Sequence, residues 1–248
     1  MAQITTDFSE KVVLVTGAGH GVGRALAESF ASQGAAVAAN DINPLSLDET
    51  LARIATEGGK ARDYAFDVAK RMPVQAMVNQ ILEDWGRIDI LINCAAVEPA
   101  ESVLDMDEWD WHRTIDVNLG GSFFTMQQVG RAMRQQGGGV ITNLAGRISQ
   151  DQLPKKNQAA YLASQMGLVG LTLEAAKELS VYNIRVNVVC LGMRHIISFP
   201  ADPALEEEQR RNRPELFERI LGMVLYLCGP AAQSLTGQVV NLDSHSVV

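Results

Sequence analysis

The sequence predicts a doubly wound α/β domain: one parallel sheet of about seven strands with helices on both faces. Three observations lead there. Short β-branched runs alternate with longer stretches of helical period, the pattern of successive βαβ units. A glycine-rich turn joins the first such run to the first such stretch. The chain has 248 residues, 47% apolar and 20% charged, which suits one large core around a sheet buried on both faces better than two small cores. A single domain over 1–248 is expected.

The strand candidates, in order, are Lys11–Thr16, Ala35–Asn40, Ala61–Phe66, Ile88–Asn93, Val140–Asn143, Ile184–Val189 and Gln238–Leu242. The first helix should start near Gly21 and stop at Gly34, whose backbone tolerates the left-handed conformation of a helix end. The longest helical stretch runs from about Met106 to Gln136. It contains Gly120 and Gly121, each costing about 1 kcal/mol against Ala in a helix interior, so close backbone packing or a kink is expected there. A further helix is expected over Asn157–Val181. Two polar segments, Ser149–Gln158 and Ala201–Pro214, read as loops or lids, the second equally as a solvated helix, and 193–214 reads as a lid or substrate loop.

Composition narrows the function classes. A net charge of -8 repels polyanions, so nucleic acid and acidic membrane surfaces are excluded as expected partners, leaving small molecules and other proteins. Cys94, Cys190 and Cys228, like His20, His112, His195 and His245, lack metal-ligand spacing, and no metal is expected. The start MAQITTDFSEK has no apolar stretch of signal-peptide length and no run is long enough to span a bilayer, so the cytoplasm is the expected compartment.

The run VVLVTGAGHGVGRALA carries the first chemical signal. Gly17, Gly21 and Gly23, with Val22 between the last two, lie between strand and helix. Glycine there permits a tight turn and lets backbone approach a pyrophosphate, while the free N–H groups of the helix start present a positive end to phosphates. Asp41 closes the second strand, where an acidic side chain accepts hydrogen bonds from the adenosine ribose hydroxyls. The same carboxylate would repel a 2′-phosphate. NAD is therefore the expected cofactor rather than NADP. As a plain turn residue, Asp41 would instead serve Asn43 and Pro44.

These motifs resemble those of the short-chain dehydrogenase/reductase family, a Rossmann-type fold, over about residues 8 to 243. Its TGxxxGxG appears as Thr16, Gly17, Gly21 and Gly23. The resemblance implies that Asp67 and Val68 contact the adenine. It implies that Asn93 and Ala95 belong to the cofactor segment NNAG, in which Cys94 and Ala96 here replace Asn and Gly. It also implies that Asn118, in DVNLGGSFF, is the asparagine that holds a water in the proton relay.

The family's catalytic pattern is broken. Where it has YxxxK, this chain has Tyr161 followed four residues later by Gln165; where it has a serine after the fifth strand, alignment places Gly146, next to Ala145. Ser149, twelve residues before Tyr161, is the one possible substitute hydroxyl. Downstream, Leu191 and Ile196 replace the family's proline and threonine around Gly192. A free tyrosine titrates near 10, so about one molecule in a thousand is phenolate at pH 7. A cation about 5 Å away at an effective dielectric near 20 would contribute roughly 3 kcal/mol, about two pK units, toward ionisation. Gln165 supplies no such charge.

Three functions are compatible with this pattern. The first is a non-catalytic or impaired subunit supporting an active homologue in a hetero-oligomeric NAD-dependent alcohol dehydrogenase, of hydroxyacyl-CoA type. The second is an oxidoreductase of secondary alcohols or ketones using Tyr161 with a modified relay. The third is an NAD-binding regulatory protein. The resemblance also implies an oligomer: Ile115, Leu119, Met126, Val129, Leu168, Val169 and Leu171 exceed what one buried face of each helix needs, which predicts a partner there.

Overall fold

In the computed structural model the described residues are 6–147, 157–192 and 214–242. Ser149, Ile196 and nearly all of the expected lid lie outside them.

All seven expected strands form. They are β1 (Val12–Thr16), β2 (Ala36–Asp41), β3 (Lys60–Ala65), β4 (Ile90–Asn93), β5 (Gly139–Arg147), β6 (Ile184–Gly192) and β7 (Val239–Leu242). They make one parallel sheet in the order β3-β2-β1-β4-β5-β6-β7. The chain works outward from β1 to β3, then returns to lay β4 on the free side of β1, pairing Val13 with Ile90. Strand order reverses between β1 and β4, and an open α/β sheet has its crevice at such a reversal, beyond the carboxyl ends of the strands.

Strand alternation explains how both faces are buried. Val13 and Val15 pack on one side with Leu26 and Phe30 of α1 (Gly21–Ser32), Leu47 and Ile54 of α2 (Pro44–Thr56), and Ile220 and Val224 of the last helix, Pro214–Cys228. Val12 and Leu14 point the other way, onto Met77 and Ile81 of α3 (Arg71–Trp85) and Val129 and Met133 of α5 (Ser122–Gln136). α6 (Ala159–Ser180) lies on this second face, and the last helix is α7. Among the described residues no helix is long and apolar enough to cross a membrane.

Most boundaries shift by one or two residues from the sequence reading, and the larger differences have physical reasons. β5 and β6 run on to Arg147 and Gly192 because they pair residue for residue from Gly139↔Ile184 to Arg147↔Gly192. Pro214 opens α7 instead of ending a loop. The long Met106–Gln136 stretch is two helices: α4 (Glu108–Ile115), capped by the Asp107 carboxylate on the Asp110 N–H, joins α5 through a π turn over Asp116–Gly121. The expected close packing is present, and the helical path is interrupted by the π turn. A Cβ on Gly121 would lie 2.9 Å from Val68 Cγ2.

The apolar surplus on α5 and α6 is distributed differently from expectation. Met126, Val129 and Leu168 belong to this chain's own core, and Leu119, Val169 and Leu171 pack partly against it. The uncovered apolar side chains are Phe123, Met166 and Leu173, at 42%, 42% and 39% exposure.

Candidate functional site

A cleft of about 630 Å³ opens over the carboxyl ends of β1 and β4. Its floor is fixed by Thr16, the last residue of β1, whose Oγ1 accepts from the N–H groups of Cys94 (3.1 Å) and Ala95 (3.2 Å) in the loop after β4. Gly17 follows in the left-handed region (φ 68°), where a Cβ would lie 2.8 Å from Ala95 Cα. Only glycine fits both demands. α1 begins at Gly21 with no side-chain cap from His20, so the first-turn N–H groups around Val22 and Gly23 face the cleft with no side chain occupying them.

Gly19, which the sequence reading passed over, completes this turn. Its N–H donates to Asp41 Oδ2 at 3.0 Å, and a Cβ there would come within 2.7 Å of the same oxygen. Its carbonyl accepts from the guanidinium of Arg24, which is only 1% exposed. Arg24 also bonds Thr50 Oγ1 (3.1 Å) and pairs with Glu49 (3.0 Å), tying the turn to α2.

Asp41 combines a turn position, its Oδ1 accepting from the Asn43 N–H at 3.1 Å, with a place in the cleft wall. Each of its oxygens has accepted one hydrogen bond and keeps capacity for another. Asp67 and Val68 line the same side. Asp67 Oδ1 accepts from the Ala69 N–H (3.0 Å), and Oδ2 lies 3.3 Å from Arg113 of α4, a pairing with no signature in the sequence. Beside them the Asn40 amide donates to Tyr64 and Phe66 carbonyls, while its buried Oδ1 has no hydrogen-bond partner. An orphaned acceptor in the cleft wall, a glycine cradle and an uncapped helix start fit a nucleotide diphosphate.

Asn93 is placed elsewhere. Its side chain turns below the cleft into a buried ladder, accepting from Thr125 Oγ1 (2.7 Å) and donating to Asn143 Oδ1 (2.8 Å); Asn143 donates in turn to Thr172 (2.8 Å). Ala95, two residues on, lines the cleft.

The β5–β6 end holds the remnant of the catalytic motif. Leu144, Ala145, Gly146, Leu191, Tyr161 and Gln165 line it. Gln165 Oε1 accepts from the Gly146 N–H at 2.7 Å, so the residues at the lysine and serine positions are bonded to each other. Asn118 is committed too: its amide exchanges hydrogen bonds with the Val97 backbone (2.8 and 3.0 Å) and donates to Ser164 Oγ (3.0 Å), which donates to the Tyr161 carbonyl (2.6 Å). None of Asn118, Ser164, Gln165 and Gly146 titrates near neutral pH.

Tyr161 is 5% exposed. Burial pushes its phenol well above the ordinary tyrosine range, and the nearby Glu98 carboxylate and the Cys94 thiol push it the same way. Glu98, also missed from sequence, lines the cleft and accepts a hydrogen bond from Gln158, three residues before Tyr161; the backbone of Glu101 bridges to Gln158 as well. Gln165 stands at the family's lysine position, and the carboxylate charge of Glu98 acts on Tyr161. Among the described residues no group of three or more His, Cys, Asp or Glu side chains is placed to hold a metal.

Residues 11–196 match the family model for short chain dehydrogenases. The chain is 34% identical over 251 residues to a D-threitol dehydrogenase of Mycolicibacterium smegmatis, covering 97% of this chain and 96% of that one. It is 34% identical over 237 residues, 94% of each chain, to the (2S)-[(R)-hydroxy(phenyl)methyl]succinyl-CoA dehydrogenase subunit BbsD of Thauera aromatica. A crystal structure of NAD+-bound xylitol dehydrogenase superposes with a TM-score of 0.81 at 30% identity, covering 95% of this chain and 98% of that one.

Proposed function

Because this chain belongs to the short-chain dehydrogenase family, we propose that it is a dinucleotide-holding member whose own alcohol chemistry is impaired. In this reading it supports a catalytically intact subunit of the same fold in an NAD-dependent alcohol dehydrogenase, of hydroxyacyl-CoA type. One observation carries this: Tyr161 is buried beside Glu98, while Gln165, at the lysine position, is bonded to the Gly146 backbone. A tyrosine that must take a proton from an alcohol works through its phenolate, and burial and a like charge both oppose that form. The position that would orient the substrate oxygen is a glycine whose N–H is already used.

Bound NAD would supply the hydride acceptor. Gly17, Gly21, Val22 and Gly23 would hold its pyrophosphate against the start of α1, Asp41 its adenosine ribose, and Asp67, Val68 and Ala95 would shape its walls. Asn93 acts from beneath, by holding the end of β4 to β5 and α5.

The partner reading is supported by the α5–α6 face. Phe123, Met166 and Leu173 remain uncovered, and Gly170 has no neighbouring atom within 4 Å of its would-be Cβ, leaving room for a second helix to approach closely. A two-fold interface is self-complementary, so a same-fold partner can replace an identical one. One of the relatives is itself named a subunit of a CoA-ester dehydrogenase. Light scattering and NAD-linked activity of this chain alone, of a co-purified homologue alone and of the two mixed will test the proposal. A stable monomer that leaves a homologue's activity unchanged is the result that overturns it.

The retention of Tyr161 in the cleft favours a second reading, a slow oxidoreductase with a modified relay. It requires turnover near pH 7 that disappears in Tyr161→Phe.

A further inference from the structure

The two ends of the cleft differ in charge. Toward β2 and β3 it is lined by Asp41, Asp67 and Asp110, with Arg113 paired to Asp67. Toward β5 and β6, beside Tyr161, the lining is Leu144, Ala145, Gly146, Gln165, Leu191 and the loop from Cys94 to Pro99. Among the described residues Glu98 is the one charged side chain at that end. It is held in place, because Gln158 donates to its carboxylate and the Glu101 backbone bridges to the same Gln158. Small apolar walls lower the local dielectric and lengthen the reach of this one charge.

We propose that Glu98 determines specificity at the Tyr161 end of the cleft, barring anionic ligands so that this chain's own site admits neutral alcohols and carbonyl compounds and turns carboxylates away. This rests on the reading of the cleft as a short-chain dehydrogenase cleft, and deepens it by naming the ligand class. A subunit with this gate would leave a charged substrate to its partner's site. Repulsion between two unit charges some 8 Å apart at an effective dielectric of 20 to 40 corresponds to about sixfold to thirtyfold discrimination.

Cys94 provides a probe that needs neither turnover nor cofactor. It is half-buried in the lining of this end, whereas Cys190 and Cys228 are buried in the core. Iodoacetamide and iodoacetate alkylate a thiolate by the same displacement: a sulfur–carbon bond forms and iodide leaves with the bonding pair. The reagents differ chiefly in charge. The rates at Cys94, read by peptide mass spectrometry and divided by those for 2-mercaptoethanol, give a ratio in which thiolate content cancels.

The wild-type protein should disfavour iodoacetate about tenfold beyond the free-thiol ratio. Glu98→Gln should remove most of that discrimination, with Glu98→Ala giving the same readout, while Glu101→Gln, exposed and outside the lining, should preserve it. The share due to Asp41, whose charge also acts on Cys94, is read from Asp41→Asn. An unchanged ratio in the Glu98 variants overturns the proposal. So does failure of both reagents to reach Cys94, since shape and not charge would then close this end. Calorimetric titration with NAD, run separately, tests the cofactor reading; its failure would leave the labelling result standing.

Discussion

Arg24 shows at the residue scale how much of the cleft is set by side chains that never face it. A guanidinium with almost no exposure is satisfied by Gly19, Thr50 and Glu49, and so holds the phosphate turn and α2 in one register. Arg24→Met should lower stability by roughly 2–4 kcal/mol in urea unfolding, because it leaves the buried Gly19 carbonyl and Thr50 Oγ1 without their donor, while Glu49 keeps Arg53. Asp41→Ala should narrow any preference for NAD over NADP, read by titration with both cofactors, and weaken both by releasing the Gly19 N–H. Two thiols give a pH signature, Cys228 in the core and the half-buried Cys94 in the cleft lining. Burial pushes Cys228 and Cys94 up to about 12, with Asp41 adding to the rise at Cys94 and the Thr142 hydrogen bond opposing it at Cys228. A pKa raised in the folded state means that their contribution is fully present below the unfolded thiol value, near 8.5, and is lost as pH rises from there toward 12. The urea midpoint should therefore fall steadily above pH 9, and less steeply in Cys228→Ala. A midpoint flat to pH 10.5 would contradict the upward shift of these thiols.

At the scale of elements, the π turn between α4 and α5 joins two features that sequence reading treats separately. The extra residue lets Gly121 face Val68 and turns Asn118 toward the Val97 backbone. Gly121→Ala should cost about 1–3 kcal/mol through overpacking, and Val68→Ala should recover much of that loss in the double variant, giving a coupling energy of at least 0.5 kcal/mol in a double-mutant cycle. The two glycines in DVNLGGSFF made the disturbance legible, because glycine inside a helix needs a reason. β1 and β4 were legible for a similar cause: strands covered on both faces demand continuous apolar runs. Arg24 with Glu49, Arg113 with Asp67 and Glu98 with Gln158 were not legible. Their partners lie 25, 46 and 60 residues apart, and nothing in the local sequence of either member announces the other. Tyr161 was found by its resemblance to the family motif; its burial beside a carboxylate depends on how the loop after β4 folds over the start of α6.

For the whole molecule, the consequential surface is the α5–α6 face. Leu173→Lys places a charge among Phe123, Met166 and Gly170 while the core-facing side of α6 is left intact. Size-exclusion chromatography with light scattering should show a smaller assembly, with thermal stability changed little once protomer concentration is matched. Retention of full assembly size would move the interface to another face.

The pairing of β1 with β4 constrains how the chain reaches this form. Val13 meets Ile90 only after β2, β3 and their helices have been made, so the central seam of the sheet closes a loop of 77 residues. Such non-local parallel pairing is slow, because the entropy of loop closure is lost before the contact repays it. On a ribosome, β1 must wait beside β2 with its other edge open until β4 emerges, several seconds later at ordinary elongation rates of about 5–20 residues per second. During that interval the nascent N-terminal half exposes an unpaired apolar strand edge, the kind of surface that chaperones cover and that aggregates grow from. Nucleotide cannot assist early either, since Ala95 and the Cys94 N–H, which complete the cradle around Gly17, arrive with the same late strand.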